Sequence, residues 1–346
     1  MPGEMTHWLV LEEAILEIEK QSPELAKIVT DNRPAARLGC MLHDAPYYYR
    51  LGGKPPELMA AFLHGSFKNN TFEPLLRLAN YIQEQSQENT EILWAVLFGM
   101  ASHFATDIEF HPFVYFKTGD YYHPDLDGRR TARRRHRLLE VYLDSWFASR
   151  LRDRFGKRAA RTLLQDWLEL SESRQQIEEM LDQSLTLSIF PELAEEIEPG
   201  WEENKFWKES IHYLVFCQVA FESMAGGMLL RGLSKIAPAK VGAIDALASW
   251  RRGRTELLDG VHAFCNPVTG DEQSESLMGL KTRAVERTVD TILKFRPAVE
   301  DSKFDCSKLL DEVEGLSLNF AVNDSDKKSA KYFSDFDLIE SLEKLG

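Results

Sequence analysis

No stretch of this chain approaches the ~20 apolar residues that a membrane-spanning helix requires. The longest candidate, around Ile211 to Leu230, is broken by His212, Gln218 and Glu222. An export signal would show a basic start and an unbroken apolar segment. The N-terminus instead scatters Glu12, Glu13, Glu17 and Glu19 among its apolar residues. Cysteine is scarce. Cys40, Cys217, Cys265 and Cys306 form no C-x-x-C pair and fit no zinc-finger spacing, so they read as reduced thiols of a cytosolic protein. Basic charge is also short: 41 Lys and Arg against 55 Asp and Glu leave a net charge of -14. That balance argues against stable nucleic-acid binding, which needs a basic surface to release counterions, and offers no broad attraction to anionic lipid. Alternation of period two is missing, and no hairpin turn sits between β-branched runs. Together these absences predict a cytoplasmic, all-helical protein without a transmembrane segment.

What is present supports a large core. The apolar fraction is 44%, with 20 Phe and 7 Trp, which removes disorder as the default reading. Helical periodicity runs through residues 8–20, 73–87, 89–110 and 130–154, and again near 158–170, 173–188, 203–235, 240–262, 277–295 and 333–345. The segment from 89 to 110 is apolar around most of its circumference, so it should be the central helix. Ser22 before Pro23 predicts a capped helix start, and Thr6 a cap for the first helix. Clusters of Pro, Gly and Asp mark loops at 117–129, 234–242 and 266–275, and the tail from 297 to 332 is polar and acidic. The fold class expected is an all-α multi-helix bundle. Residues 1–235 would form the helical core domain and 240–346 a helical C-terminal extension.

Seven of the nine histidines fall in the first 136 residues, and that crowding suggests a metal site. His103, Asp107 and His111 are each four residues apart, so a helix stacks them along one face. That face belongs to an otherwise apolar helix, where such side chains are costly to bury unless a cation pairs them. His136 and Glu140 repeat the spacing on a second helix. His7 opens the first helix, Asp44 precedes Ala45-Pro46, and His64 precedes Gly65. Each element has a plainer alternative. The paired residues could be helix-stabilising contacts, and His64 could simply end a helix. His43 and His123 read as supporting or surface residues, and His212 and His262 as structural ones. The run Arg129-Arg130-Thr131-Ala132-Arg133-Arg134-Arg135 is either a solvated helix start or the source of a phosphate clamp.

The order of these residues resembles the zinc-dependent phospholipase C family. Thr6-His7-Trp8-Leu9-Val10 looks like its first-helix histidine segment, and Asp44 like its acidic turn. Phe62-Leu63-His64 looks like its next ligand, and His103-x-x-x-Asp107 with His111 like its central helix. His136-x-x-x-Glu140, continuing as Val141-Tyr142-Leu143-Asp144, looks like its last ligand pair. The resemblance covers about residues 5 to 146 and implies an all-α bundle holding two or three zinc ions. By it, Asp44, His64, His103 and Asp107 would hold one ion, and His111, His136 and Glu140 a second. His7 would contribute to a third, with Asp107 bridging. It implies phosphodiester hydrolysis on a phospholipid-like substrate, with Asp44 orienting or deprotonating the attacking water. Where phosphatidylcholine enzymes of the family have an aromatic after the acidic residue, this chain has Ala45. Two other readings stay open. The adjacent His43-Asp44 would suit a His-Asp phosphohydrolase, and zinc could also serve a non-catalytic helical scaffold.

Overall fold

A computed structural model describes residues 4–51, 54–85, 90–150, 159–193, 205–222, 255–334 and 336–345. Its centre is a helix of 29 residues, Thr90–Thr118, here α6, whose side chains are buried on every face from Leu93 to Ile108. A helix apolar all round can only be stable inside a shell of other elements. The shell begins with α1 (Glu4–Gln21), α2 (Pro23–Asp31), α3 (Arg33–Gly39), α4 (Lys54–Leu63) and α5 (Glu73–Glu84). It continues with α7 (Leu126–Arg150), α8 (Ala159–Glu169), α9 (Arg174–Leu181), α10 (Leu187–Glu192) and α11 (Phe206–Glu222). Beyond these lie α12 (Leu277–Lys294), α13 (Arg296–Glu300) and α14 (Asp337–Leu345). The expected all-helical architecture is what the chain adopts.

The α3–α6 crossing shows why particular residues are required. Gly39 and Gly99 face each other across it. A Cβ on Gly99 would overlap the Ala36 carbonyl, and one on Gly39 the Val96 carbonyl. The backbones therefore approach as only glycine permits. The contact matters beyond packing, because the Cys40 carbonyl just past α3 accepts a 2.7 Å hydrogen bond from His103 Nδ1. Gly99→Ala is expected to cost about 1–3 kcal/mol of stability by overpacking and to weaken zinc binding. Denaturant unfolding and chelator competition would measure the two effects. A variant of unchanged stability would show that the crossing is looser than described.

The described residues before and after the 235–240 boundary share one core. Helix α12 packs along α6 and against α1, with Leu280, Ala284 and Ile292 buried in the same cluster as Leu9 and Phe104. Arg283 and Arg287 both hold Glu109 of α6, at 2.8 Å each. The boundary itself lies outside the described residues, as do most of the helix expected at 240–262 and the end of that expected at 203–235.

Local expectations needed several corrections. Residues Val261–Cys265 and Glu272–Ser276 form an antiparallel ribbon, pairing Val261 with Ser276 and Cys265 with Glu272. It occupies the end of an expected helix and much of an expected loop. Only Phe264 of its first strand is fully buried, so the ribbon leaves no apolar alternation to detect. Thr6 is not a cap, because α1 already begins at Glu4. Ser22 does occupy the residue before α2, but its hydroxyl bonds the Glu24 carboxylate rather than a backbone amide. Helix α7 starts earlier than residue 130, because Asp125 accepts from the amides of Asp127 and Gly128 at 3.1 and 2.9 Å. Helix α6 continues through Pro112 to Thr118. The helix expected at 173–188 is interrupted by a π-helical turn over Asp182–Thr186.

Candidate metal centre

Two helices present parallel ladders to one point. On α6, the four-residue spacing aligns His103, Asp107 and His111; on α7 it aligns His136, Glu140 and Asp144. Asp107 is the hub. One of its oxygens, Oδ1, lies 3.5 Å from His7 Nε2 and 3.4 Å from His111 Nε2. The other, Oδ2, lies 3.0 Å from His103 Nε2 and 3.4 Å from His64 Nε2. Asp44, in the turn after α3, stands 3.4 Å from His64 and 3.6 Å from His103. His136 and Glu140 approach at 2.8 Å, and the His136 ring lies 5.5 Å from that of His111. All eight residues expected from sequence are therefore buried and gathered together, including the three far from the main helices, His7, Asp44 and His64.

Their donor atoms sort into three sets able to hold an ion: His7, His103 and Asp107; Asp44, His64 and His103; His111, His136 and Glu140. The last set is the one the resemblance implies for a second ion. In the other two, His103 rather than Asp107 belongs to both sets, although Asp107 reaches His64 as well.

Buried polar groups are almost always hydrogen-bonded. Here both oxygens of Asp107, both ring nitrogens of His7, Asp44 Oδ1, His103 Nε2 and His111 Nε2 have no hydrogen-bond partner among the described residues. Their mutual approaches are electrostatic contacts without hydrogen-bond alignment. Nitrogen and carboxylate donors held this way fit a zinc ion. The opposite edges of the rings are fixed. The Nδ1 of His64 faces the Ala60 carbonyl at 2.7 Å, that of His103 the Cys40 carbonyl at 2.7 Å, and that of His111 the Leu318 carbonyl at 2.8 Å. With Nδ1–H donating, each Nε2 lone pair points into the centre, the usual arrangement of metal-binding histidine.

The electrostatics agree. Burial opposes a charge on His64, but the adjacent Asp107 and Asp44 carboxylates outweigh it and hold the imidazole up to about 10. Burial likewise resists ionisation of Asp107, yet His111 and His103 keep it well below the usual carboxylate range. His111 is pushed down to about 3 by burial. Asp107 thus stays charged, and His64 takes a proton where a cation is needed.

A family model described as zinc-dependent phospholipase C matches residues 6–188, more than half of the chain. The chain belongs to the zinc-dependent phospholipase C family. No curated protein matches it, and no solved structure does either. As a zinc-dependent phospholipase C relative, it carries its eight expected ligands within the matched span.

Several contributors to this phospholipase C-like centre escaped sequence reasoning. Asp144 accepts from the amides of Met5 and Thr6 at 3.2 and 3.0 Å and from the Thr6 hydroxyl at 2.7 Å. It thereby holds the first turn of α1 and places His7. Its signal was present, since Asp144 continues the spacing of His136 and Glu140. Asp144→Ala should cost about 1–2 kcal/mol, as loss of a helix cap does, and deplete zinc at the His7 set before the others. Stepwise zinc titration would show it; an unchanged stoichiometry and midpoint would count against the role.

A second contributor comes from the C-terminal part, outside the matched span. The segment 315–322 lies against the centre as a strap. The Leu318 amide and the Asn319 side chain both donate to the His64 carbonyl, at 3.2 and 3.3 Å, while the Leu318 carbonyl receives His111. Gly65, at φ 77°, ends α4 and lets Ser317 come close; a Cβ there would crowd Thr71 and Ser317. The plainer reading of His64 as a helix end is thus also true.

The remaining sequence candidates resolve plainly. His43 is not at the surface: it is fully buried, its ring stacked 4.6 Å from that of His103. His123 serves a turn, accepting from the Asp125 amide at 3.1 Å. His212 is exposed and faces Trp167, and His262 sits on the ribbon. In the arginine run, Arg129 bonds the His123 and Pro124 carbonyls, Arg130 pairs with Asp127, and Arg134 and Arg135 pair with Glu343. None of these four lines the cavity over the metal sets. The arginine that does is Arg137, one residue past His136, together with Tyr47, Tyr115, Tyr121 and Asn319. The four cysteines form no disulfide. No described helix is long and apolar enough to cross a membrane.

Proposed function

We propose that this protein is a zinc-dependent phosphodiester hydrolase acting on a phospholipid-like substrate, with two or three zinc ions in the centre around Asp107. The observation that carries the reading is Asp107 itself: a buried carboxylate among four imidazole Nε2 atoms, with neither oxygen hydrogen-bonded among the described residues. Zinc bound there supplies charge neutralisation of the phosphate oxygens and lowers the pKa of a water toward ~7.

The chain's own residues do the rest. Asp44 lines the cavity and keeps Oδ1 without a hydrogen-bond partner, so it can accept the proton of the attacking water. Burial would favour its neutral form, but His103 and His64 hold it ionised. The carbonyls of Ala60, Cys40 and Leu318 fix the imidazoles, so the ligand cage needs no rearrangement on binding. Tyr47, Tyr115 and Tyr121 wall the approach and restrict water.

The rival readings draw less support. A His-Asp phosphohydrolase would require His43 as a ligand, and among the described residues His43 joins none of the three donor sets. A structural zinc site is closed by four protein ligands, whereas this centre adjoins a cavity bordered by Asp44, His64, His111 and His136. The test is metal analysis of the purified protein, with hydrolysis of phospholipid vesicles before and after chelation. Chelator-sensitive hydrolysis restored by zinc is expected. Bound zinc with no hydrolysis of any phosphodiester would favour the scaffold.

A further inference from the structure

The cavity over the metal sets is nearly closed. Only about 10 Å³ of it is open to the centre of a water, room for about one such molecule. Sites that hold a small ligand enclose hundreds of cubic ångströms, so a wall must move before a diester or a chelator can reach the centre. Tyr121 enters that wall from the loop 119–125, which joins α6 to α7. Its ring lies 5.1 Å from that of His136 and 5.1 Å from that of Tyr122. Both tyrosines are half-buried. Among the described residues, the loop's polar ties beyond the two helices it joins run through the Tyr122 hydroxyl, which meets Ser66 Oγ at 3.1 Å and Asn319 Nδ2 at 3.5 Å. Tyr115 is held more firmly, buried in α6 with its hydroxyl donating to Asn319 Oδ1 at 2.8 Å. The loop is thus the panel that costs least to open.

The first residue of the loop is a pivot. Gly119 follows α6 at φ 97°, a left-handed conformation that glycine adopts freely. The C-terminal tail sits on that pivot. A Cβ on Gly119 would come within 3.2 Å of the Phe336 ring, with Ala132 of α7 alongside. Arg135 covers the ring, its guanidinium 4.9 Å from the centroid. Phe336 itself holds φ 65°, which a bulky residue adopts only where its surroundings enforce it. Helix α14 follows at once, and its hold on the rest is light. Ile339 and Leu342 are buried, and Tyr142 of α7 donates to the Leu342 carbonyl at 3.3 Å. Glu340 and Glu343 pair with Arg134 and Arg135 at 3.4 to 3.5 Å. An open gap of about 320 Å³ lies among these four charged side chains.

We propose that the loop 119–125 is a gate over the metal centre, and that Phe336 with α14 is the latch that holds it shut. Opening swings Tyr121 off His136 about Gly119 and breaks the Tyr122–Ser66 contact. While Phe336 rests on the pivot, that swing is blocked; when α14 lifts from α7, it is released. Ion pairs this exposed are weak and screened by salt, which keeps the latch releasable. The latch lies outside the span matched by the family model, so control of the gate comes from the C-terminal part. It governs entry whatever reaction the centre performs, and it stands independently of the hydrolytic reading.

The experiment measures hydrogen–deuterium exchange over residues 119–125, and zinc transfer to EDTA, in the zinc-loaded protein and in its Phe336→Ala and Glu343→Lys variants. Phe336→Ala is expected to speed both by about tenfold, which corresponds to ~1.4 kcal/mol in the opening equilibrium. The amides of α6 between Leu93 and Ile108 should keep their protection. Glu343→Lys, which breaks the pairs to Arg134 and Arg135, should speed both by about two- to fivefold. It also carries the test should Phe336→Ala fail to fold. Loop exchange unchanged in the folded variants would overturn the proposal. So would faster exchange spread evenly through α6, which would mean general loosening, or faster loop exchange with zinc leaving at the original rate. Vesicle hydrolysis decides the enzymatic reading separately, because exchange over the loop is read without substrate.

Discussion

An Asp107→Asn variant is expected to lose bound zinc and hydrolytic activity together while keeping its fold. The substitution preserves volume and removes only the charge that four imidazoles surround. Altering a residue that merely supports a ligand costs about 10–100-fold in metal affinity, so removing the carboxylate that four imidazoles approach should exceed about a hundredfold. Hydrolysis should fall in proportion, because the two Asp107 oxygens reach His7 and His111 on one side and His64 and His103 on the other. His136→Ala should behave alike at the His111–Glu140 set. Metal analysis by mass spectrometry, paired with vesicle hydrolysis, measures both. Unchanged zinc content in both variants would refute the ligand assignment.

The second large effect is on stability. Chelation should lower the melting temperature by about 8–16 °C. A ligand present at a thousand times its dissociation constant stabilises the native state by about 4 kcal/mol, and each kcal/mol moves a domain of this class by about 2–4 °C. The physical source is specific: without cations, the carboxylates and imidazoles of the centre are buried with too few hydrogen bonds to replace their lost hydration. Scanning calorimetry with and without chelator, and then with zinc restored, would measure the shift. A melting temperature indifferent to chelation would mean that the centre holds no ion in the purified protein.

The sequence brought the candidate ligands into view because helices convert spacing into proximity. His103, Asp107 and His111 had to share a face, as did His136 and Glu140. His7, Asp44 and His64 lie on other elements, and no local rule joins them to that face; only their order, matched to a known family, did so. The central helix was legible because it is apolar all round. The ribbon at 261–276 was not, because a two-stranded element with one fully buried phenylalanine has no periodic signature. The strap at 315–322 was invisible for a different reason. It acts through backbone groups, such as the Leu318 amide and carbonyl, and those are the same for almost every residue type. Arg137 was overshadowed by the richer run before it, and only the structure shows that it lines the cavity while Arg129, Arg130, Arg134 and Arg135 do not.

The strap also sets an order of events during biosynthesis. His111 is translated some two hundred residues before the carbonyl that orients its ring. A nascent chain can wind α6 and α7 and present most of the donors while still attached to the ribosome. Yet two of its imidazole-bearing residues wait for residues 317–319 to emerge and dock. Metal bound at this centre would therefore load last, after the strap has docked. A chain truncated before residue 315 should emerge as a helical protein that captures zinc poorly, which delays hydrolytic competence until synthesis has passed the strap.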